Sequence, residues 1–205
     1  MSAIPSYCSL RSPGRTIRPL CKILEELGLA PRYEARFPWL TLPNVIGEGS
    51  PDELRVAEAL TDHAASTVSR LRRDLELGAP KRGRHRKADC DLAKLLQPMS
   101  TVLSLDIWLA DLGLAIEFDE RQHFSEERRV SLDAYPDDDF PFSVSRWRSE
   151  CSSVIYDPTP PSRDWRRAFR DSVRDLRCRA HGLRLIRLNY KDSLDRVGEL
   201  LMASE

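Results

Sequence analysis

The stretch LAIEFDERQHF, Leu114–Phe124, decides how this chain is to be read. It opens as a strand and then places Glu117, Asp119, Glu120 and His123 within seven residues. Side chains alternate along a strand, so Ile116 and Phe118 share one face and Glu117 and Asp119 the other. Upstream, TVLSLDIWL (Thr101–Leu109) reads as a second strand, with Ala110–Gly113 as the turn between them. A loop centred between Asp111 and Leu112, two or four residues long, pairs Leu109 with Leu114 and Asp106 with Glu117; an odd-length loop would shift that register. Directly opposed residues have Cβ atoms about 4.5–5.5 Å apart. Asp106, Glu117 and Asp119 are therefore expected to form one acidic cluster on the surface opposite the apolar pair. Facing like charges destabilise a bare sheet, and a cation between them offsets this. Oxygen ligands with water in the remaining positions suit Mg²⁺ or Mn²⁺. The plainer alternative is a solvated face of a half-exposed hairpin.

Outward from the hairpin, the spacing of Ile17, Leu20, Ile23, Leu24 and Leu27 predicts a helix over Arg15–Leu29, ended at Gly28. YEARFPWLTL follows as a strand interrupted at Pro38. Ser50-Pro51-Asp52-Glu53 supplies an N-cap, a proline in the first turn and a glutamate completing a capping box, so a helix runs from there to about Leu77, before Gly78 and Pro80. Leu92–Leu96 reads as a short helical turn. Residues 125–161 read as a long irregular segment with the acidic run Asp137-Asp138-Asp139, a length more often functional or a family insertion than incidental. A helix over Ser162–His181 is ended by Gly182, LRLIRLNY is a third strand, and Ser193–Met202 is a closing helix. This order gives an α/β (α+β) fold with one central mixed sheet flanked by helices. It divides into an N-terminal helix and strand extension over residues 1–49 and a domain over 50–205 that carries the 125–161 insertion.

A chain of 205 residues buries a real core, and 31% charged against 41% hydrophobic residues is a globular composition. Net charge is zero, so any polyanion site must come from local segregation of charge. Five scattered cysteines without a CxxC pair fit reduced thiols rather than a disulfide frame or a zinc site. The first residues lack an apolar leader core and no run of 18 apolar residues occurs, so the expectation is a cytoplasmic protein without a membrane partner.

The ordered set of motifs resembles the PD-(D/E)XK nuclease superfamily, especially its branch of small domains similar to very-short-patch-repair endonucleases. That branch has a strand ending in Asp, a second strand close to (L/A)-(A/V)-I-E-(V/F)-D-x-x-x-H, a helix with D-x-x-R-D, and a strand G-(L/Y)-x-(L/V)-(I/L)-R. Here these are Asp106, LAIEFDERQH, Asp171-Ser172-Val173-Arg174-Asp175 and GLRLIRL from Gly182. The likeness covers about 105–190 and leaves the first 80 residues and the insertion unexplained. It implies a restriction-endonuclease-like fold and a metal-dependent phosphodiesterase site. Asp106 and Glu117 would hold the metal, with the Phe118 carbonyl as a further ligand. Asp119 stands where most of the superfamily has lysine, as it does in this branch, and His123 would take over the placing or activating of water. Glu120 replaces a glycine common after the acid. In relatives a helix carrying an acid often precedes the hairpin, a place Glu53 or Glu58 could fill.

Two basic features supply phosphate-binding candidates. KRGRHRK, with Lys81, Arg82, Arg84, Arg86 and Lys87, contains no acid. On the helix over Ser162–His181, Arg163, Arg167, Arg170, Arg174 and Arg177 form a stripe beside a core stripe of Trp165, Phe169, Val173, Leu176 and Ala180. Arg170 and Arg174 are the phosphate-facing candidates; a salt-bridged, solvated helix paired through Asp164, Asp171 and Asp175 is the alternative. The expected function is a metal-dependent endonuclease acting on DNA, in repair, restriction or defence, with Asp106, Glu117, Asp119 and His123 as its catalytic group. Two other readings compete with it. One is a catalytically silent nuclease fold that binds nucleic acid or a partner protein in a larger complex; the other is an interaction domain whose acids bind nothing.

Overall fold

A mixed sheet of five strands in sequential order, β1 to β5, organises the molecule. The structure, a computed structural model, describes residues 5, 7–9, 17–43, 49–76, 102–151, 162–193, 197 and 201. The strands are β1 (Tyr7–Ser9), β2 (Pro31–Thr41), β3 (Val102–Leu109), β4 (Leu114–Asp119) and β5 (Arg184–Asn189). The first four pair antiparallel, and β5 lies parallel to β4. The helices are α1 (Arg18–Glu26), α2 (Pro51–Glu76), α3 (Glu126–Asp133), α4 (Val144–Glu150) and α5 (Ser162–Ala180). The expected α/β class with a mixed sheet between helices is what the chain adopts.

Two cores follow from helices on both faces. The larger joins Ala35, Leu105, Trp108 and Ala115 of the sheet to residues of α2, α3, α4 and α5, among them Leu60, Leu132, Trp147 and Trp165. The smaller packs Leu20, Cys21 and Leu24 of α1 on Ile107, Leu109, Leu114 and Ile116. Residues before position 50 thus supply a helix and two strands to the same sheet that carries the hairpin. Being covered on both faces, β4 is buried almost throughout, as strands with a parallel neighbour usually are. Glu117 and Asp119 therefore do not lie on an open surface: they are 4% and 1% exposed.

Local signals explain most of the boundaries. Ser50 Oγ accepts from the Glu53 amide at 3.3 Å while Glu53 Oε2 accepts from the Ser50 amide at 2.8 Å, the expected reciprocal cap of α2. Gly28, Gly113 and Gly182 take positive φ where α1, the hairpin turn and α5 end. Pro38 does not interrupt β2; the strand continues through it while its pairing with β3 shifts register between Arg36 and Thr41, because proline offers no N–H to the ladder. The segment after residue 125 carries two helices where an irregular stretch was expected: Ser125 and Ser143 side chains accept from the amides of Arg128 and Arg146 and start α3 and α4, with turns between them, while residues 152–161 lie outside the described residues. Ala180 closes α5 exposed rather than in its core stripe. Val197 and Leu201 are helical; the rest of the expected closing helix from 194 on, KRGRHRK and Leu92–Leu96 lie outside the described residues. Among the described residues no helix is long and apolar enough to cross a membrane.

Candidate active site

The hairpin turn is a single 3-10 turn over Ala110–Leu112 closed by Gly113, an even connection, and it sets Leu109 opposite Leu114, Trp108 opposite Ala115 and Ile107 opposite Ile116. One step further the ladder gives way to side chains. The Asp106 amide donates to Glu117 Oε1 at 2.9 Å, and the Phe118 amide donates to Asp106 Oδ2 at 3.0 Å. Each acid thus caps the backbone beside the other, and the two strands are held apart by carboxylates where a regular sheet would have carbonyls. The alternation of β3 also breaks here. Leu105 packs in the larger core and Ile107 in the smaller, and their β2 partners Ala35 and Tyr33 divide the same way. Between those partners Glu34 takes φ +48°, a left-handed conformation that costs a non-glycine residue energy and that clusters near functional sites.

Burial and the Asp106 charge beside it push the Glu117 pKa up to about 8. Burial also raises Asp106, against the pull of the Phe118 amide and Arg174. Arg174 Nε lies 3.5 Å from Glu117 Oε2 and donates to the Ser104 carbonyl at 3.0 Å, so this cation of α5 closes the top of the acid pair.

Asp119 goes elsewhere. Its carboxylate accepts from Arg187 Nη1 at 2.7 Å and from the Trp147 indole at 2.6 Å, with His123 Nδ1 3.5 Å away. It does not complete a three-acid cluster with Asp106 and Glu117, because the fully buried Arg187 on β5 claims it as a counter-ion. Arg187 also donates to Asp175 at 2.7 Å and to the Asp171 carbonyl at 3.2 Å. Asp175 in turn holds Arg128 at 2.8 Å and the Tyr135 hydroxyl at 2.6 Å. Burying these charges is tolerable only because each one is paired and hydrogen-bonded. Asp175 therefore serves a lattice between elements, not an intrahelical pair, while Asp164 with Arg167 and Asp171 with Arg174 do pair along α5.

His123, on a 3-10 turn after β4, sets Nδ1 2.9 Å from Asp171 Oδ2. Burial opposes a charged imidazole, but the Asp171 carboxylate outweighs it and holds the His123 pKa above its usual value. Burial likewise works against an ionised Asp171, yet His123 and Arg187 keep its pKa far below the carboxylate range. By distance alone Asp119, His123 and Asp171 form a buried group that could hold a metal ion, their ligand atoms lying within 4.8 Å of one another. Both Asp119 oxygens and the His123 Nδ1 are, however, already engaged by Arg187, Trp147 and Asp171.

Beside His123 and Asp171 opens a cavity of about 360 Å³ whose remaining lining is Arg163, Arg166, Arg167, Arg170 and Arg174. Arg167 is tied to Asp164 at 2.9 Å and to the Gln122 carbonyl at 3.0 Å. Burial and the neighbouring Arg174 and Arg166 lower the Arg170 pKa. Of the expected site residues, the fold joins Asp106 to Glu117, sets His123 on the arginine-lined cavity, and places Asp119 against Arg187, Trp147 and His123. Arg170 and Arg174 reach the cavity, and Lys81, Arg82, Arg84, Arg86 and Lys87 lie outside the described residues. Glu53, one of the two acids suggested for a preceding helix, caps α2 and is held by Arg177 Nε at 2.5 Å. Sequence reasoning missed Asp171 as the partner of His123 and Arg187 as the partner of Asp119. A charge at the centre of the apolar run LRLIRL was the available signal, because an arginine there must find a buried acid.

Comparison with protein-family models, with curated proteins and with solved structures gives no match to this chain.

Proposed function

We propose that the protein is a Mg²⁺- or Mn²⁺-dependent nuclease that hydrolyses phosphodiester bonds of DNA, as the PD-(D/E)XK resemblance implies. The observation that carries this reading is the Asp106–Glu117 pair: two raised-pKa carboxylates, each anchored by one oxygen to the other's strand, one arginine away from a cationic cavity. The donor set suits a hard cation. Among the described residues the second oxygen of Asp106 accepts no hydrogen bond, and that of Glu117 meets only the long contact from Arg174. Phe118 adds a third donor, because N–H and C=O of an extended residue point to the same side and its N–H turns toward Asp106. When bound, a divalent cation lowers the pKa of its water and offsets charge on the phosphoryl oxygens.

The chain's own residues supply the rest. Arg174 faces both Glu117 and the cavity and would orient the phosphate. Asp171 fixes the His123 ring through Nδ1, which leaves Nε2 as the nitrogen that meets substrate. The raised pKa favours the protonated ring, so His123 is better suited to donate a proton to the leaving oxygen than to serve as the base expected from sequence.

The test is cleavage of plasmid, linear duplex and single-stranded DNA with Mg²⁺ or Mn²⁺. The expected result is metal-dependent cutting, abolished by chelator and by Glu117→Gln or Asp106→Asn. Intact substrates together with silent metal-binding titrations would overturn it. A second reading, a nuclease-like module that binds nucleic acid without cutting, is favoured by the Arg174 contact, since that guanidinium already supplies positive charge beside Glu117. DNA binding with no metal uptake would select it.

A further inference from the structure

The cavity beside His123 is lined along one side by α5. Arg163 and Arg174 both reach it, and eleven residues of helix span about 16 Å. Along such a length of helix several phosphates of one strand fit, each occupying about 3.4 Å of a duplex axis. Five arginines face it against a single lining carboxylate, Asp171, which His123 and Arg174 already hold. Among the described residues neither Arg163 nor Arg170 has a carboxylate partner, and Arg170 Nε is buried without a hydrogen bond. Arg163 and Arg170, without a carboxylate partner among the described residues and set on a cavity that three further arginines line, suit an anion. The row also ends at the start of α5, where the helix dipole adds positive potential.

We infer that this groove binds the backbone phosphates of one nucleic-acid strand on one side of the cut, led from Arg174 beside Glu117 along α5 to Arg163. The placing relative to the cut rests on the nuclease reading; the phosphate binding does not. The ligand is recognised by its spaced, singly charged phosphodiesters, so affinity comes without base specificity.

Binding of a labelled single-stranded oligonucleotide is measured in chelator, without metal, across a salt series, for the full chain and for the Arg163→Ala/Arg170→Ala protein. Arg163 is exposed and Arg170 has no carboxylate partner among the described residues, so the fold survives the change, and unchanged melting verifies it. The expected result is about a tenfold or greater loss of affinity, a salt slope smaller by about 0.7 for each arginine removed, and rescue by the double lysine variant. Unchanged affinity and slope would overturn the inference, as would competition by poly-glutamate as strong as that by unlabelled oligonucleotide. If the variant loses binding while the wild type never cuts, the nuclease reading fails and the groove stands. If the wild type cuts and the variant binds normally, the groove fails alone.

Discussion

Glu117 is the side chain on which most of the proposed chemistry turns, and its protonation makes it testable. Its pKa stands near 8 in the folded protein and near 4.5 when the chain is open. Between those values the native state keeps a proton that the unfolded state has released, so Glu117 lowers stability progressively as pH rises from about 4.5 to about 8. A cation that binds the carboxylate displaces that proton. Apparent Mn²⁺ affinity should therefore rise close to tenfold per pH unit from about pH 6 and level off above about pH 8, as read by calorimetric titration in buffers of different ionisation heat. Glu117→Gln should lose this uptake and flatten the fall in melting temperature over the same window. Asp119 behaves oppositely, because its charge is needed by Arg187. Asp119→Lys places an ammonium beside a buried guanidinium. It should cost at least about 3–5 kcal/mol in urea unfolding, while Asp119→Asn, which keeps an acceptor for Trp147, should cost less.

α5 carries three jobs on three faces: core side chains, the lattice acids Asp171 and Asp175, and the arginine row. Its far end is tied to α2 through Arg177, which meets Glu53 at 2.5 Å and the Trp39 carbonyl at 2.9 Å. Glu53→Ala removes a reciprocal cap and the carboxylate partner of that guanidinium together. A loss of about 2–4 kcal/mol is expected in chemical denaturation, with metal affinity unchanged because Glu53 stands apart from Asp106 and Glu117. How legible each element was follows from the reach of the forces that shape it. α2 announces itself through residues three apart, and the Asp106–Glu117 pairing follows from an even loop, both local facts. α3 and α4 are only eight and seven residues long, too short for periodicity to register, and only their serine caps marked them. Asp119 could not be placed from its neighbourhood, since its partners lie 28 residues away in Trp147 and 68 away in Arg187.

Across the molecule, the sheet separates an apolar side from an ionic one. α1 meets the sheet mainly through Leu20, Cys21 and Leu24, whereas the opposite face mixes aliphatic packing with the lattice of Arg128, Asp175, Arg187 and Asp119. The alternating pattern of LAIEFD suggested one wet face and one dry face. Helices from residues 126 to 180 make both faces dry, and nothing within six residues of β4 could reveal that cover.

The buried lattice has a consequence for the order in which the protein comes apart. Its members sit on α3, α5, β4 and β5, and withdrawing any one of these elements leaves an unpaired charge in a dry interior. Partial openings that release α3 while keeping β5 are therefore excluded by energy, and α3 is bound into the same cooperative unit as the hairpin. In native-state hydrogen exchange at low denaturant, the amides of α3 and β5 should share one opening free energy, while those of α1 exchange through an easier event. Staggered exchange between α3 and β5 would show that the lattice does not govern unfolding. A protein cut by proteases would accordingly lose the hairpin and α3 in a single step.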